Sequence, residues 1–418
     1  MILRAGLVAA LVLTWVLTCG PASAAPSHHR PAAPSLRYEP MTFFVVKGAP
    51  DACGRGCDTW IEAEGKIESD TAARLRAFLD RHRDRNLPIY FASPGGNLDQ
   101  AISMGNMLHA RPLTARVGRT LVRECGFEAQ DSDVCIKLKQ SGRELRGDLF
   151  TSGAICASAC PYLFAGAAVH EVAPDAVLGV HSTKVILSFR GGKPDPSVVA
   201  AADQRSHERA DRMVTAYLAK MGIDAGLLAL AKSVKFEDIH VLTRDEIARF
   251  GLDRRDLVET PWRFESNGLN MMRKIAVVRG SGETSFRLLQ WRVACFDSDN
   301  FSFDFLRPAR TGALVAISHR GASPVYFSGP VTSGTNSEQW GMRLIRSRLE
   351  SLVNQPQIEM IESSLASDGR SVSQTTKLSN EGWTGAMETL VAHCPLSKGA
   401  LTVLRSSQSG NSNEAAAK

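Results

Sequence analysis

Between residues 38 and 262 short apolar runs alternate with amphipathic stretches, and this alternation constrains the fold more than any other feature of the sequence. Residues 60–67 (WIEAEGKI) read as a strand. The next stretch opens at Ser69/Asp70 and sets Ala73, Leu75, Phe78 and Leu79 on one helical face. Residues 88–92 (PIYFA) form a short apolar run, and after the turn at Ser93-Pro94-Gly95-Gly96 a helix is expected over 98–110. Residues 156–168 read as a helix rich in Ala, Cys and Gly, 177–180 as a buried strand ending at His181, and 197–221 as a long helix. Thr243-Arg244-Asp245-Glu246 is a capping box that Gly251 terminates. Strand–helix–strand units in series require a largely parallel sheet, so 38–262 is read as an α/β domain.

Past Pro261 the texture changes. Runs at 275–279, 286–295, 301–306, 313–318, 325–327 and 342–345 are strand-like and separated by Gly, Ser, Asn and Asp, and 381–393 reads as a closing helix. The expectation is a smaller, mostly β domain over 268–404, followed by a polar tail at 405–418.

The N-terminal residues set an expectation for the compartment. Arg4, the apolar run 7–17 and Ala22-Ser23-Ala24 make a secretory signal over 1–24, cleaved near Ala24. A Pro-rich linker spans 25–37. The mature chain is expected to be periplasmic or secreted, with no membrane span. Cysteine usage agrees: setting aside Cys19, eight cysteines remain, in the close pairs Cys53/Cys57, Cys125/Cys135 and Cys156/Cys160 plus Cys295 and Cys394. Local bridges and a long 295–394 bridge are the simplest pairing. No Cys/His set has zinc-finger spacing, so neither metal nor cofactor is expected. The net charge of +6 comes from interspersed charges with no basic block, which argues against nucleic acid as a partner.

Three places carry candidate chemistry. The double glycine of Ser93-Pro94-Gly95-Gly96-Asn97, between strand and helix, can expose backbone N–H groups to a developing oxyanion. Ser158 lies in Cys156-Ala157-Ser158-Ala159-Cys160, with cysteines two residues to either side, and His181 follows a buried strand. Each alone is an ordinary turn, a packing serine or a structural histidine; what sets them apart is their order along the chain, a glycine turn, then a serine, then a histidine at the next strand end.

That order, with the strand end at Gly65-Lys66-Ile67, the stretch 156–167 and Leu178-Gly179-Val180-His181, resembles the exported ClpP-like serine peptidases of bacteria. These belong to the superfamily of the Clp protease proteolytic subunit (ClpP) and the crotonases. Leu242-Thr243-Arg244-Asp245-Glu246-Ile247 and Phe250-Gly251-Leu252 are also similar to ClpP's late segment. The resemblance covers about 200 residues and does not reach the second domain. It implies an α/β, ClpP/crotonase-like βαβ spiral domain, with Ser158 as nucleophile, His181 as general base, and Gly96 and Ala159 lending their N–H groups to the oxyanion hole. Asp238 is the nearest match to the orienting carboxylate, one residue out of register beside Glu237, and His240 is a further candidate partner. The implied activity is ATP-independent hydrolysis of peptides or unfolded segments by a homo-oligomer. Two alternatives stand beside it: an inactive scaffold for oligomerisation or peptide binding, and acyl-transfer chemistry of the crotonase type.

Overall fold

The computed structural model describes residues 39–395 apart from 112, 190, 192–193, 267–268, 281, 311–313, 319–322, 335, 354 and 366–367. The expected signal, linker and polar tail, and Cys19, lie outside the described residues.

The first half lays its elements down as β1 (Thr42–Lys47), β2 (Thr59–Glu64), α1 (Thr71–Arg81), β3 (Ile89–Ala92), α2 (Leu98–His109), β4 (Thr114–Val117), β5 (Arg119–Val122), α3 (Asp133–Lys139) and β6 (Leu145–Phe150). Then come β7 (Ile155–Ala157), α4 (Cys160–Phe164), β8 (Val169–Glu171), β9 (Val177–Val180), α5 (Pro196–Met221), α6 (Gly226–Ser233), β10 (His240–Val241) and α7 (Arg244–Arg249). One sheet runs β5-β6-β1-β2-β3-β4-β8. It is parallel except where β2 pairs with β1 and β6 with β5. A second, three-stranded sheet runs β10-β9-β7. The inner strands are buried along nearly their whole length, as strands covered on both faces are, and β2 carries the buried Glu62 among its apolar residues. Leu75, Phe78, Phe91, Met104, Phe164 and Leu178 meet in the core between strands and helices. On α1 it is Ala72, not Ala73, that faces this core.

The expected strand at 177–180, the helix 98–110 and the capping box at Thr243 are all present within a residue of their expected bounds. The helix expected over 156–168 is not. Residues Ile155–Ala157 pair with β9 as a strand, the chain reverses at Ser158, and only Cys160–Phe164 is helical. Small residues there serve a strand-to-helix reversal, not a continuous helix.

The second half is built mainly of strands, and its sheets begin at Leu257–Glu259, which pairs with Asn270–Val278. Two sheets enclose a core rich in aromatics, among them Trp262, Trp291, Phe303, Phe305, Trp340 and Trp383. The helix Trp383–Ala392 closes it. Strands at Gln357–Leu365 and Ser371–Ser379 and a helix at Arg346–Val353 were not expected from the sequence. The molecule is thus a mixed α/β protein with several sheets.

All four bridges form as paired above: Cys53–Cys57, Cys125–Cys135, Cys156–Cys160 and Cys295–Cys394. Four disulfides fit an oxidising compartment outside the cytoplasm. Among the described residues no helix is long and apolar enough to cross a membrane.

Candidate active site

The site starts where the two sheets of the first half are stitched together. At the end of β3, the Ser93 N–H donates to the Ile155 carbonyl (2.7 Å) and the Ala157 N–H returns to the Ser93 carbonyl (2.9 Å). The Ser93 hydroxyl donates to the Gly65 carbonyl (2.7 Å) and accepts from the Gly95 N–H (3.1 Å), which fixes the glycine turn. Gly95 and Gly96 hold φ of +96° and +136°, where only glycine is unstrained. A Cβ on Gly95 would lie 2.5 Å from the Ala157 carbonyl oxygen and 2.8 Å from the Ala159 nitrogen, and one on Gly96 would collide with the Ile67 carbonyl. Asn97 then caps α2 by accepting from the Gln100 N–H (3.0 Å).

Ser158 occupies the reversal between β7 and α4. Its φ of +61° is shared, among described non-glycine residues, only with Asp51. A side chain in the left-handed region costs roughly 1–2 kcal/mol, and the surroundings must hold it there. Its N–H donates to the Gly179 carbonyl on β9 (2.9 Å), so the reversal is anchored to the strand that leads to His181. Among the described residues the N–H groups of Gly96 and Ala159 donate to nothing. Both residues line the same cavity of about 1050 Å³ as Ser158 and His181.

His181 follows β9 directly, and its half-buried imidazole packs against the Phe236 ring with centroids 4.9 Å apart. Burial pushes its pKa below the ordinary histidine value, while the Phe236 backbone and the Glu237 carboxylate act the other way. Nδ1 is enclosed and makes no hydrogen bond among the described residues. No hydrogen bond joins Ser158 Oγ to His181 among them either.

Asp238 is not behind the imidazole. It is exposed and absent from the cavity wall. Its N–H donates to the Lys235 carbonyl (3.1 Å), closing a turn that sets Phe236 against His181 and leaves Asp238 in solvent. The carboxylate whose charge reaches His181 is its neighbour Glu237. His240 is occupied elsewhere: its Nε2 lies 3.0 Å from Glu246 Oε2, the residue that completes the α7 capping box.

Sequence reasoning missed the far wall of the cavity. There α5 contributes Ser206, Arg209, Ala210 and Met213, and α4 contributes Tyr162. The i, i+3, i+4, i+7 spacing of the α5 residues marks one helical face, which was the available signal. Among the described residues no cluster of His, Cys, Asp and Glu is arranged to hold a metal ion. A serine on a sharp turn, an imidazole whose pKa burial lowers, and two cavity-lining residues whose N–H groups have no acceptor among the described residues are parts an acyl-transfer site needs.

No protein-family model matches this chain, and no curated protein matches it in sequence. Among solved structures it is similar to a mutant of the 1510-N membrane-bound stomatin-specific protease, at 16% identity and a TM-score of 0.27, over 45% of this chain and 73% of that one. It is also similar to invasion associated protein b from Bartonella henselae, at 10% identity and a TM-score of 0.26, over 33% of this chain and 92% of that one. Scores this low fix neither the fold family nor the activity of the chain.

Proposed function

We propose that this chain is a secreted or periplasmic serine peptidase, built over 38–262 on the ClpP/crotonase-like plan, that hydrolyses peptides or unfolded segments without ATP. The observation that carries the reading is Ser158 at φ +61°, on the wall of the cavity that also holds His181 and the free amides of Gly96 and Ala159.

In this mechanism His181 accepts the Ser158 hydroxyl proton as Oγ attacks the scissile carbonyl. The Gly96 and Ala159 N–H groups hold the oxyanion, a contribution of about 10²–10³ in rate per donor. His181 then gives the proton to the leaving amine, and water releases the acyl group by the same steps in reverse. The burial that lowers the His181 pKa keeps the imidazole neutral, the form a base requires. The Ser158–His181 hydrogen bond closes when substrate fills the cavity, as in sites whose geometry tightens only in the complex. The reading uses a Ser–His pair without Asp238, and a homo-oligomer is its expected assembly.

A second reading, a non-catalytic scaffold that binds peptides in the cavity, is favoured by the lack, among the described residues, of a carboxylate hydrogen-bonded to His181. Hydrolysis of fluorescein-labelled casein and unstructured peptides by the mature, disulfide-intact protein separates the two. Turnover that disappears in Ser158→Ala supports the peptidase; saturable peptide binding without turnover supports the scaffold.

A further inference from the structure

The reversal at Ser158 is tied on one side by backbone hydrogen bonds and on the other by a covalent bond. Ahead of Ser158, Ala157 N–H bonds to the Ser93 carbonyl and Ser158 N–H to the Gly179 carbonyl. After it, no backbone N–H from Ala159 to Pro161 donates to a described group, and Pro161 has none to give. The Cys156–Cys160 bridge spans this open side, with Cα atoms 5.2 Å apart and both cysteines fully buried. Cys156 is fixed in β7 opposite Leu178, and Cys160 opens α4. The bond therefore closes a five-residue ring with Ser158 at its centre, and that ring also contains the Ala159 amide. Gly95 fills the other side of the turn, where even a methyl group would not fit.

We propose that Cys156 and Cys160 are positioning residues: their disulfide holds Ser158 in its left-handed conformation and aims the Ala159 N–H, so the nucleophile is assembled only after oxidation. The inference rests on the serine-peptidase reading. Bond formation joins the two thiols and gives up two protons and two electrons to a disulfide-bearing oxidant, which leaves as a dithiol. A chain made in a reducing compartment is thereby inert until it reaches an oxidising one. The other five-residue bridge, Cys53–Cys57, lies in a separate cluster with Trp60 and Tyr90 and has no such part to play.

The test compares full-length mature wild type with Cys156→Ala/Cys160→Ala and, as control, Cys53→Ala/Cys57→Ala. Fluorophosphonate labelling rate, peptide kcat and KM, and circular dichroism are read on each. The expected result is a 10- to 100-fold fall in labelling rate and kcat for the 156/160 pair, with KM and folded signal held, and no such fall for the control. Wild-type labelling and turnover in a folded 156/160 variant overturns the inference, as does a loss that merely follows the folded fraction. If that variant does not fold, stepwise reduction of wild type with dithiothreitol reads the same claim. Each bond is followed by alkylation and peptide mass. Labelling must fall in step with the 156–160 bond and return on reoxidation, and labelling that survives its reduction overturns the inference. Absence of labelling in oxidised wild type defeats the peptidase reading itself, and the inference with it; a labelled wild type beside an unaffected variant defeats the inference alone.

Discussion

A methyl group on Gly95 would lie 2.5 Å from the Ser158 Cβ, so the glycine turn and the nucleophile turn pack backbone to backbone. Neither can move without the other. Through the bonds between Ser93, Ile155 and Ala157, the same contact joins the seven-stranded sheet to the three-stranded one.

Gly95→Ala meets both a steric conflict at Ser158 and an unfavourable φ of +96°. The displacement it forces, on the order of an ångström, is expected to lower fluorophosphonate labelling about 100-fold. Circular dichroism reports whether the sheets survive, and wild-type labelling in this variant would mean that the two turns are not coupled.

The acid limb of the kcat/KM profile is expected below pH 6.5, the ordinary histidine value, because burial disfavours the charged imidazole. Activity requires the neutral ring, so it is retained as pH falls from 7 and is lost only as pH passes through the lowered pKa. Glu237→Gln removes a charge that favours the imidazolium and moves the limb further down. Asp238→Asn, in solvent, leaves the limb within experimental error. A limb above 6.5, or one that shifts with Asp238→Asn, contradicts the geometry described.

Much of this was legible beforehand, and the failures have physical causes. The apolar run at 177–180 and the Thr243–Glu246 box name their elements because burial and capping act on neighbouring residues. Six of the cysteines pair by proximity in the chain, which leaves Cys295 and Cys394 to each other across 99 residues. The reversal at Ser158 was not legible: nothing local tells a small-residue helix from a strand and turn whose left-handed φ is held by Gly179, a disulfide and Gly95. Asp238 failed for the same kind of reason: the turn its N–H closes onto the Lys235 carbonyl, beside Phe236 packed on His181, is not written in the residue types. The strands Gln357–Leu365 and Ser371–Ser379 were missed because Ser, Thr and Gln dilute their alternation, and pairing with each other supplies what local propensity lacks.

Asp253 is a structural carboxylate of the first half. It is buried, accepts from the Val172 N–H (2.9 Å) and pairs with Arg255 (2.6 Å) and Arg244 (3.1 Å). Burial opposes its charge, but the arginine and amide hydrogen bonds prevail and hold its pKa down to about 2. A depressed carboxylate contributes stability that is complete above its unfolded pKa near 4 and is lost as pH falls toward 2, here roughly 2 kcal/mol. Asp253→Asn is expected to cost about 3 kcal/mol at neutral pH, because the Arg244 side chain, 10% exposed, loses its carboxylate, while the more exposed Arg255 keeps Glu171. It should also flatten the pH 4-to-2 decline seen in urea unfolding. A variant with wild-type stability at pH 7 would contradict this assignment.

The Cys295–Cys394 bridge joins residues 99 apart and ties the closing helix to the second half. Its removal as Cys295→Ala/Cys394→Ala is expected to cost about 2–5 kcal/mol. Trp262, Trp291, Trp340 and Trp383 all sit in that core, so urea unfolding followed by tryptophan fluorescence reads the loss. Fluorophosphonate labelling of Ser158 should be unchanged, because the bridge lies outside the cluster that carries the site.

The most direct test of the account is the intact mass of the mature, oxidised protein after reaction with a fluorophosphonate, with the modified peptide sequenced. The account expects one adduct per chain, on Ser158, absent in Ser158→Ala and strongly slowed in His181→Ala. A folded protein with all four bridges intact that takes up no adduct, or takes it up on another residue, would contradict it.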